Sequence, residues 1–174
     1  GGQIAEFSHS PDHLLAYRRV PTAQETIRTY LKRRSPMNHT TTLLRRSHVL
    51  KVSGYEEVAG FEDYCLWIKI ISRGFSLANV PHVCCHVRAD DGMYRRRGGW
   101  KYFKNAVKME TFLLHSGLIT VWEYAGNVAV RFAGTVLIST KLRRLMFLRF
   151  LRLRAVEEAK DLSGLPMFAQ VKRI

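Results

Sequence analysis

Residues 62 to 74, "EDYCLWIKIISRG", constrain this chain most. Tyr64, Trp67, Ile68 and Ile71 recur at i, i+3, i+4 and i+7, and Gly74 stands where a helix of that length stops. A helix with so wide an apolar stripe has to bury it, so whatever the chain folds into is built around this segment. Two acids, Glu62 and Asp63, sit side by side at its mouth, in a chain with 28 Lys and Arg against 14 Asp and Glu. Two readings of that pair stand open. Carboxylates at a helix start are favoured by the dipole and the unpaired amides alone. Alternatively, the dipole keeps Asp63 ionised and the rigid helix aims it at a substrate hydroxyl as a general base. Adjacent residues diverge on a helix, so only one of the two faces a substrate.

The remaining elements follow from pattern. Gln3 to Phe7 alternates as a short strand, and a polar segment with Pro11 and Asp12 follows. Thr22 with Glu25 three residues on reads as a capping box, opening a helix with Ile27, Tyr30 and Leu31 on one stripe and ending near Arg34, before Pro36. The β-branched run Thr40 to Leu44 predicts a strand, and Ser47 to Val52 a helical turn stopped by Gly54. Strands are expected at Phe75 to Val80 and His82 to Arg88, with turn chemistry at Asp90-Asp91-Gly92. A second strong helix runs from about Gly99 to His115, with Tyr102, Ala106, Met109 and Leu113 on one face. From Leu118 the pattern is largely helical, ending in the basic and apolar run "KLRRLMFLRFLRLRA", whose arginines do not collect on one side.

Length and a 47% hydrophobic content fit one domain or part of a larger one, and exclude a disordered tail. A net charge of +14 attracts phosphate in some form, whether nucleic acid, anionic headgroups or a phosphorylated small molecule. Cys65, Cys84 and Cys85 imply no disulfide framework and fit a reducing, cytosolic setting. The first residues, Gly-Gly-Gln-Ile, carry no initiator Met, basic n-region or apolar h-region, so no signal peptide is expected. Ala125 to Thr140, interrupted by Arg131, is too short for a bilayer span of about 20 residues.

Two further constellations invite chemistry. His82, Cys84 and His86 share one face of a strand, but a rise of about 3.3 Å per residue sets the outer two roughly 13 Å apart, too far for one zinc ion. "DDGMYRRRGG", residues 90 to 99, places three arginines in a turn-rich segment. A solvated basic loop accounts for that, as does a loop folded around a diphosphate, since Arg suits bidentate phosphate binding.

The ordered series "RSPMNHTTTLLRRSHVLKVSGY", "GFEDYCLWIKIISRGFSLANVP" and "VRADDGMYRRRGG" resembles the C-terminal half of family 2 glycosyltransferases of the GT-A fold, in particular bacterial enzymes of surface polysaccharide assembly. The resemblance covers roughly residues 1 to 117 and implies an α/β fold, the C-terminal portion of a Rossmann-like domain with mixed short strands, followed by a helical basic extension over 118 to 174. It implies that Asp63 is the base, with Glu62 beside it, and that Arg88, Arg95, Arg96 and Arg97 lie near the diphosphate. His39 and Trp67 fall on the acceptor side. Many members place a histidine after the last core strand, near the metal; Asp91 stands at about that place, which implies a metal or diphosphate role for it. The family's N-terminal half, with its nucleotide-holding strands and Asp-x-Asp motif, has no counterpart in this sequence, so the main ligands of the Mg²⁺ or Mn²⁺ cofactor are expected there.

The expected partners are a nucleotide-sugar donor, a glycan or lipid-linked acceptor, and the inner face of the cell membrane, on which the protein is expected to rest from the cytoplasm. The alternative is a non-catalytic basic module that binds anionic membrane or nucleic acid through charge. Against nucleic acid, the chain has no RNP-type aromatic motif, helix-turn-helix pattern or zinc-finger spacing.

Overall fold

The computed structural model describes residues 1–12, 14–89 and 91–139, with Leu142, Leu145, Leu153 and Arg154; of the C-terminal basic run only those last four fall within it. The fold is α/β, a small mixed sheet with helices. β1 (Gln3–Phe7) lies between β2 (Leu14–Arg18), antiparallel to it, and β3 (Val83–Arg88), parallel to it. A two-residue strand, β4 (Leu153–Arg154), pairs with the outer side of β2. Flanked on both edges, β1 is buried along its whole length. β3 alternates instead, with Val83, Cys85 and Val87 turned inward and Cys84, His86 and Arg88 exposed.

The helices carry most of the core. α1 (Gln24–Leu31) buries Ile27 and Leu31. A 3₁₀ turn (His39–Thr41) and α2 (Arg46–Lys51) lead to α3 (Glu62–Ser72), in which Tyr64 through Ile68, Ile70 and Ile71 are buried. After β3 come α4 (Asp91–Arg96), α5 (Gly99–His115) and α6 (Val121–Phe132), the last running into a short π-helical segment, Ala133–Leu137. Ala106, Met109 and Leu113 of α5 join α1 and α3 in one hydrophobic cluster. Glycines at positive φ end three elements where an L side chain would be strained: Gly54 (64°), Gly74 (80°) and Gly117 (72°).

Buried amides tie the sheet to this cluster. Gln3 Oε1 accepts from Val20 N at 2.7 Å while its Nε2 donates to Val80 O at 2.9 Å. Asn38 Nδ2 donates to Gly2 O at 2.8 Å, and Asn79 Nδ2 to Pro21 O at 2.7 Å and Pro36 O at 3.0 Å. Each staples loop backbone that has no ladder of its own.

Several expectations are corrected. Thr22 caps nothing: α1 starts from Ala23, without a side-chain cap, and the Thr22 carbonyl is taken by Asn79 N. The same Thr-x-x-Glu pattern forms a full capping box at α6, between Thr120 and Glu123. Thr40 to Leu44 is not a strand, because its threonines bond locally: Thr41 Oγ1 to Asn38 O and Thr42 Oγ1 to His39 O, both 2.8 Å. Phe75 to Val80 pairs in no ladder; the Phe75 ring stacks on His48 at 4.0 Å and Asn79 serves as a staple. The five residues Leu14–Arg18, unassigned by pattern, form β2. Asp91 opens a helix rather than a turn, and Arg95 and Arg96 close it, a charge order the helix dipole favours. Leu153–Arg154 is strand, where a helical pattern was expected.

Candidate functional site

The mouth of α3 is set by packing from behind. Phe61 is the N-cap residue, fully packed, with its ring 4.9 Å from that of Tyr102 on α5. Asn105 Nδ2, also on α5, donates to Ala59 O at 3.0 Å. Gly60, at φ 83°, makes the turn into the helix. Tyr64, one residue past the acids, is buried and donates its hydroxyl to Leu31 O at 2.5 Å. Burial pushes that phenol well above its ordinary range, with Arg131 pulling the other way, so it stays a donor.

On this frame Glu62 and Asp63 diverge. Glu62 is exposed and folds back, its Oε2 accepting from Gly60 N at 2.9 Å, which clasps the turn. Asp63 is half-buried, and its Oδ1 accepts from Tyr64 N at 2.8 Å in the first turn. One carboxylate holds the loop and the other stays at the helix end, where amides favour its charge.

One turn further along, Trp67 shares the face of Asp63 by helical spacing. It is 0% exposed, and its indole N–H has no hydrogen-bond partner among the described residues. His39 meets it edge-on, ring centroids 6.0 Å apart, and the His39 Nε2 lies 3.0 Å from the hydroxyl of Tyr55. His39 and Tyr55 are both exposed. So Asp63, Trp67, His39 and Tyr55 form a chain of neighbours along one side of α3, with Trp67 as the buried floor. Tyr55 was not singled out from sequence; it is the terminal residue of the quoted "VLKVSGY", and only the fold of the following loop brings it onto His39.

Below the pair lies Cys65, fully buried, whose thiol is pushed up to about 12 by burial first and then by the charges of Glu56, Asp63 and Glu62. It is an inert core thiol.

The arginines are arranged differently. Arg88 ends β3 with its guanidinium 5.5 Å from the centre of the Phe7 ring. Arg95 and Arg96 are exposed at the end of α4, and Arg97 follows it. This segment leads directly into α5, whose Tyr102 packs on Phe61, so it is tethered to the mouth of α3 through that contact. Asp91 opens α4, and its side chain lies outside the described residues. Among the described residues no three His, Cys, Asp or Glu side chains converge on a metal-sized site.

The sequence matches no protein-family model and no solved structure. It is 37% identical over 159 residues to an uncharacterized glycosyltransferase of Haemophilus influenzae, an alignment taking in 87% of this chain and 56% of that protein. It is 33% identical over 110 residues to the amylovoran biosynthesis glycosyltransferase AmsE of Erwinia amylovora, 63% of this chain and 40% of that one. Against the UDP-Gal:alpha-D-GlcNAc-diphosphoundecaprenol beta-1,3-galactosyltransferase of Escherichia coli it is 28% identical, across 74% of this chain and 46% of the relative. The chain spans about half the length of the relatives it matches, and over that half it is similar to proteins named as glycosyltransferases.

Proposed function

We propose that this chain is the acceptor-side portion of an inverting glycosyltransferase of the family 2, GT-A type. The observation that carries the reading is the similarity to three proteins named as glycosyltransferases, joined to an acid pair whose members the fold separates into a loop clasp and a helix-end carboxylate. In this reading Asp63 takes the proton from an acceptor hydroxyl as the oxygen attacks the anomeric carbon, and the nucleoside diphosphate leaves from the opposite face. One displacement with one base inverts the centre. His39 and Tyr55 offer exposed polar groups to the acceptor, and Trp67 acts beneath them by fixing the His39 ring. Arg88, Arg95, Arg96 and Arg97 supply positive charge toward the diphosphate, where Arg forks suit phosphate oxygens. A divalent ion, if bound, would neutralise charge on the leaving diphosphate, which the arginines would share.

The donor is a nucleotide sugar and the acceptor a glycan or lipid-linked glycan of bacterial polysaccharide assembly. The name of the Escherichia coli relative, which specifies a UDP-sugar donor and a diphosphoundecaprenol-linked acceptor, supports that class. Such an acceptor fits work at the cytoplasmic face of the membrane, with the protein held peripherally; no helix among the described residues is long and apolar enough to cross one.

The test is transfer by the full-length protein from a panel of radiolabelled nucleotide sugars, with Mn²⁺ or Mg²⁺, to membrane extracts containing lipid-linked glycans. Label in the lipid-linked fraction, with the product's anomeric configuration opposite to the donor's, is the expected result. No incorporation from any donor, or retained configuration, overturns the reading.

A further inference from the structure

Helix α6 is inside out. Its polar residues face the protein: Glu123 pairs with Lys32 at 2.9 Å, Asn127 Nδ2 donates to Glu110 Oε2 at 3.0 Å and to Lys32 O at 2.7 Å, and Arg131 pairs with Glu110. Tyr124, on the same side, lies 3.3 Å from Thr111 Oγ1. The outward positions are Val121, Trp122, Ala125, Gly126, Ala129 and Val130, and every one is apolar. Trp122 is 87% exposed and Val130 73%. At the C-terminal end of the helix the surface continues through Trp100, itself exposed, which packs with Phe103 and Phe132, and through Leu137. A water-facing helix face of six residues without one polar group is the reverse of the ordinary pattern, so something other than water covers it.

The charges around this face say what. Between Gly99 and Ser139 the only acids are Glu110 and Glu123, and both are held in ion pairs on the inner side of α6. The neighbouring helix α5 exposes Lys101, Lys104 and Lys108. In sequence, residues 141 to 154 carry Lys141, Arg143, Arg144, Arg149, Arg152 and Arg154 and no acid, but these side chains fall outside the described residues and are not placed beside this face. An apolar face bordered by cations repels a second copy of itself, and an apolar face contributes nothing to nucleic-acid phosphates. Both features fit a bilayer with anionic headgroups, in which Trp sits at the interface and Lys reaches phosphate.

We propose that the outward face of α6, extended by Trp100 and Leu137, is the surface by which this protein inserts into the headgroup layer of an anionic membrane, with the exposed lysines of α5 contacting the headgroups. It deepens the reading that the protein works at a membrane and does not depend on glycosyl transfer. Salt weakens such binding without abolishing it, because the apolar part is not screened.

The experiment uses the 174-residue chain with phosphatidylcholine vesicles, with and without phosphatidylglycerol, read by co-sedimentation and by quenching of tryptophan with brominated lipid. Binding is expected only with phosphatidylglycerol present, with the quenched emission reduced in Trp122→Phe and lost when Trp100→Phe is added, since the remaining Trp67 is buried. Trp122→Glu and Val130→Glu, both at solvent-facing positions, are expected to weaken partitioning about tenfold or more, while Leu50→Glu, at an exposed apolar residue of α2, leaves it unchanged. Unchanged partitioning of both α6 variants overturns this surface and leaves membrane association standing. No vesicle binding by the parent chain overturns both, as does binding to DNA in its place. Concentration-dependent self-association abolished by Val130→Glu, without vesicle binding, assigns the face to a contact between copies and also overturns the proposal. Transfer to a soluble acceptor analogue by the full-length protein is untouched by the α6 variants, which separates this outcome from failure of the enzymatic reading.

Discussion

Helices α3 and α6 have nearly the same length and opposite polarity. α3 buries seven of its eleven residues, all apolar or aromatic but for the thiol of Cys65, and keeps its acids at the mouth. α6 buries none, turns Glu123, Asn127 and Arg131 inward beside Tyr124, and gives Val121, Trp122, Ala125, Ala129 and Val130 to the outside. The first is held by burial, the second by a capping box, ion pairs and amide bonds to Glu110 and Lys32. Burial fixes a helix end rigidly enough to aim a carboxylate. Polar tethers hold a helix in place while leaving its apolar face available to a partner.

Substitutions can break that contrast. Trp67→Ala empties the floor of the α3 cluster and is expected to cost about 3–5 kcal/mol in urea unfolding. Next is Arg131→Met, which leaves the fully buried Glu110 without its cation and removes the guanidinium from the Phe61 and Tyr64 rings. Arg131 is partly exposed, so the loss is expected near about 3 kcal/mol, the lower end for a broken buried pair. Adding Glu110→Leu is expected to recover much of it, since an apolar pair replaces a buried charge; no recovery would show that Asn127 and the rings carry the contact. Val130→Ala on the outward face of α6 is expected to change stability by less than about 0.5 kcal/mol, and a loss above 1 would mean that face is covered within the chain.

The smallest effect is one of pH. Glu123 is held below its ordinary value, first by the Thr120 backbone amide of the capping box and then by Lys32. A depressed folded value means the unfolded chain binds the proton first as pH falls. Its contribution is therefore complete above the unfolded value of about 4.3 and fades as pH drops through the lower folded value. Denaturant melts at pH 6 and pH 3 should show a pH-dependent loss that is smaller in Glu123→Gln than in the parent.

How much of this was legible beforehand follows the same contrast. α3 and α5 could be read from spacing because burial enforces the period: Trp67, Ile68 and Leu113 occupy the positions the pattern gives them. The acids at the mouth of α3 were visible for the same reason, but not their division, which depends on Gly60 turning its amide toward Glu62. α6 falls in the stretch from Leu118 whose pattern reads as helical, but its polarity was not legible, because its apolar positions point outward and only contacts with Lys32 and Glu110 show which side is inner. Glu110 sits among apolar neighbours on α5, and nothing local says that Arg131, twenty-one residues on, completes it. Two identical Thr-x-x-Glu patterns gave one capping box, because at Thr22 the loop through Asn79 claims the backbone first. Loops held by Gln3, Asn38 and Asn79 carry no periodic signal at all, since each amide bonds backbone remote in sequence.

The proposed chemistry turns on one carboxylate. In the full-length protein, Asp63→Asn keeps the side chain's shape and its bond from Tyr64 N while removing its basicity. Transfer rate and donor affinity measured on the same preparation give the direct test, with Glu62→Gln in parallel. The account predicts that Asp63→Asn lowers kcat by about 10²-fold or more with donor Kd unchanged, and that Glu62→Gln is milder because Glu62 only clasps the Gly60 turn. An Asp63→Asn protein that keeps most of its kcat, or a Glu62→Gln protein that loses more, would contradict it.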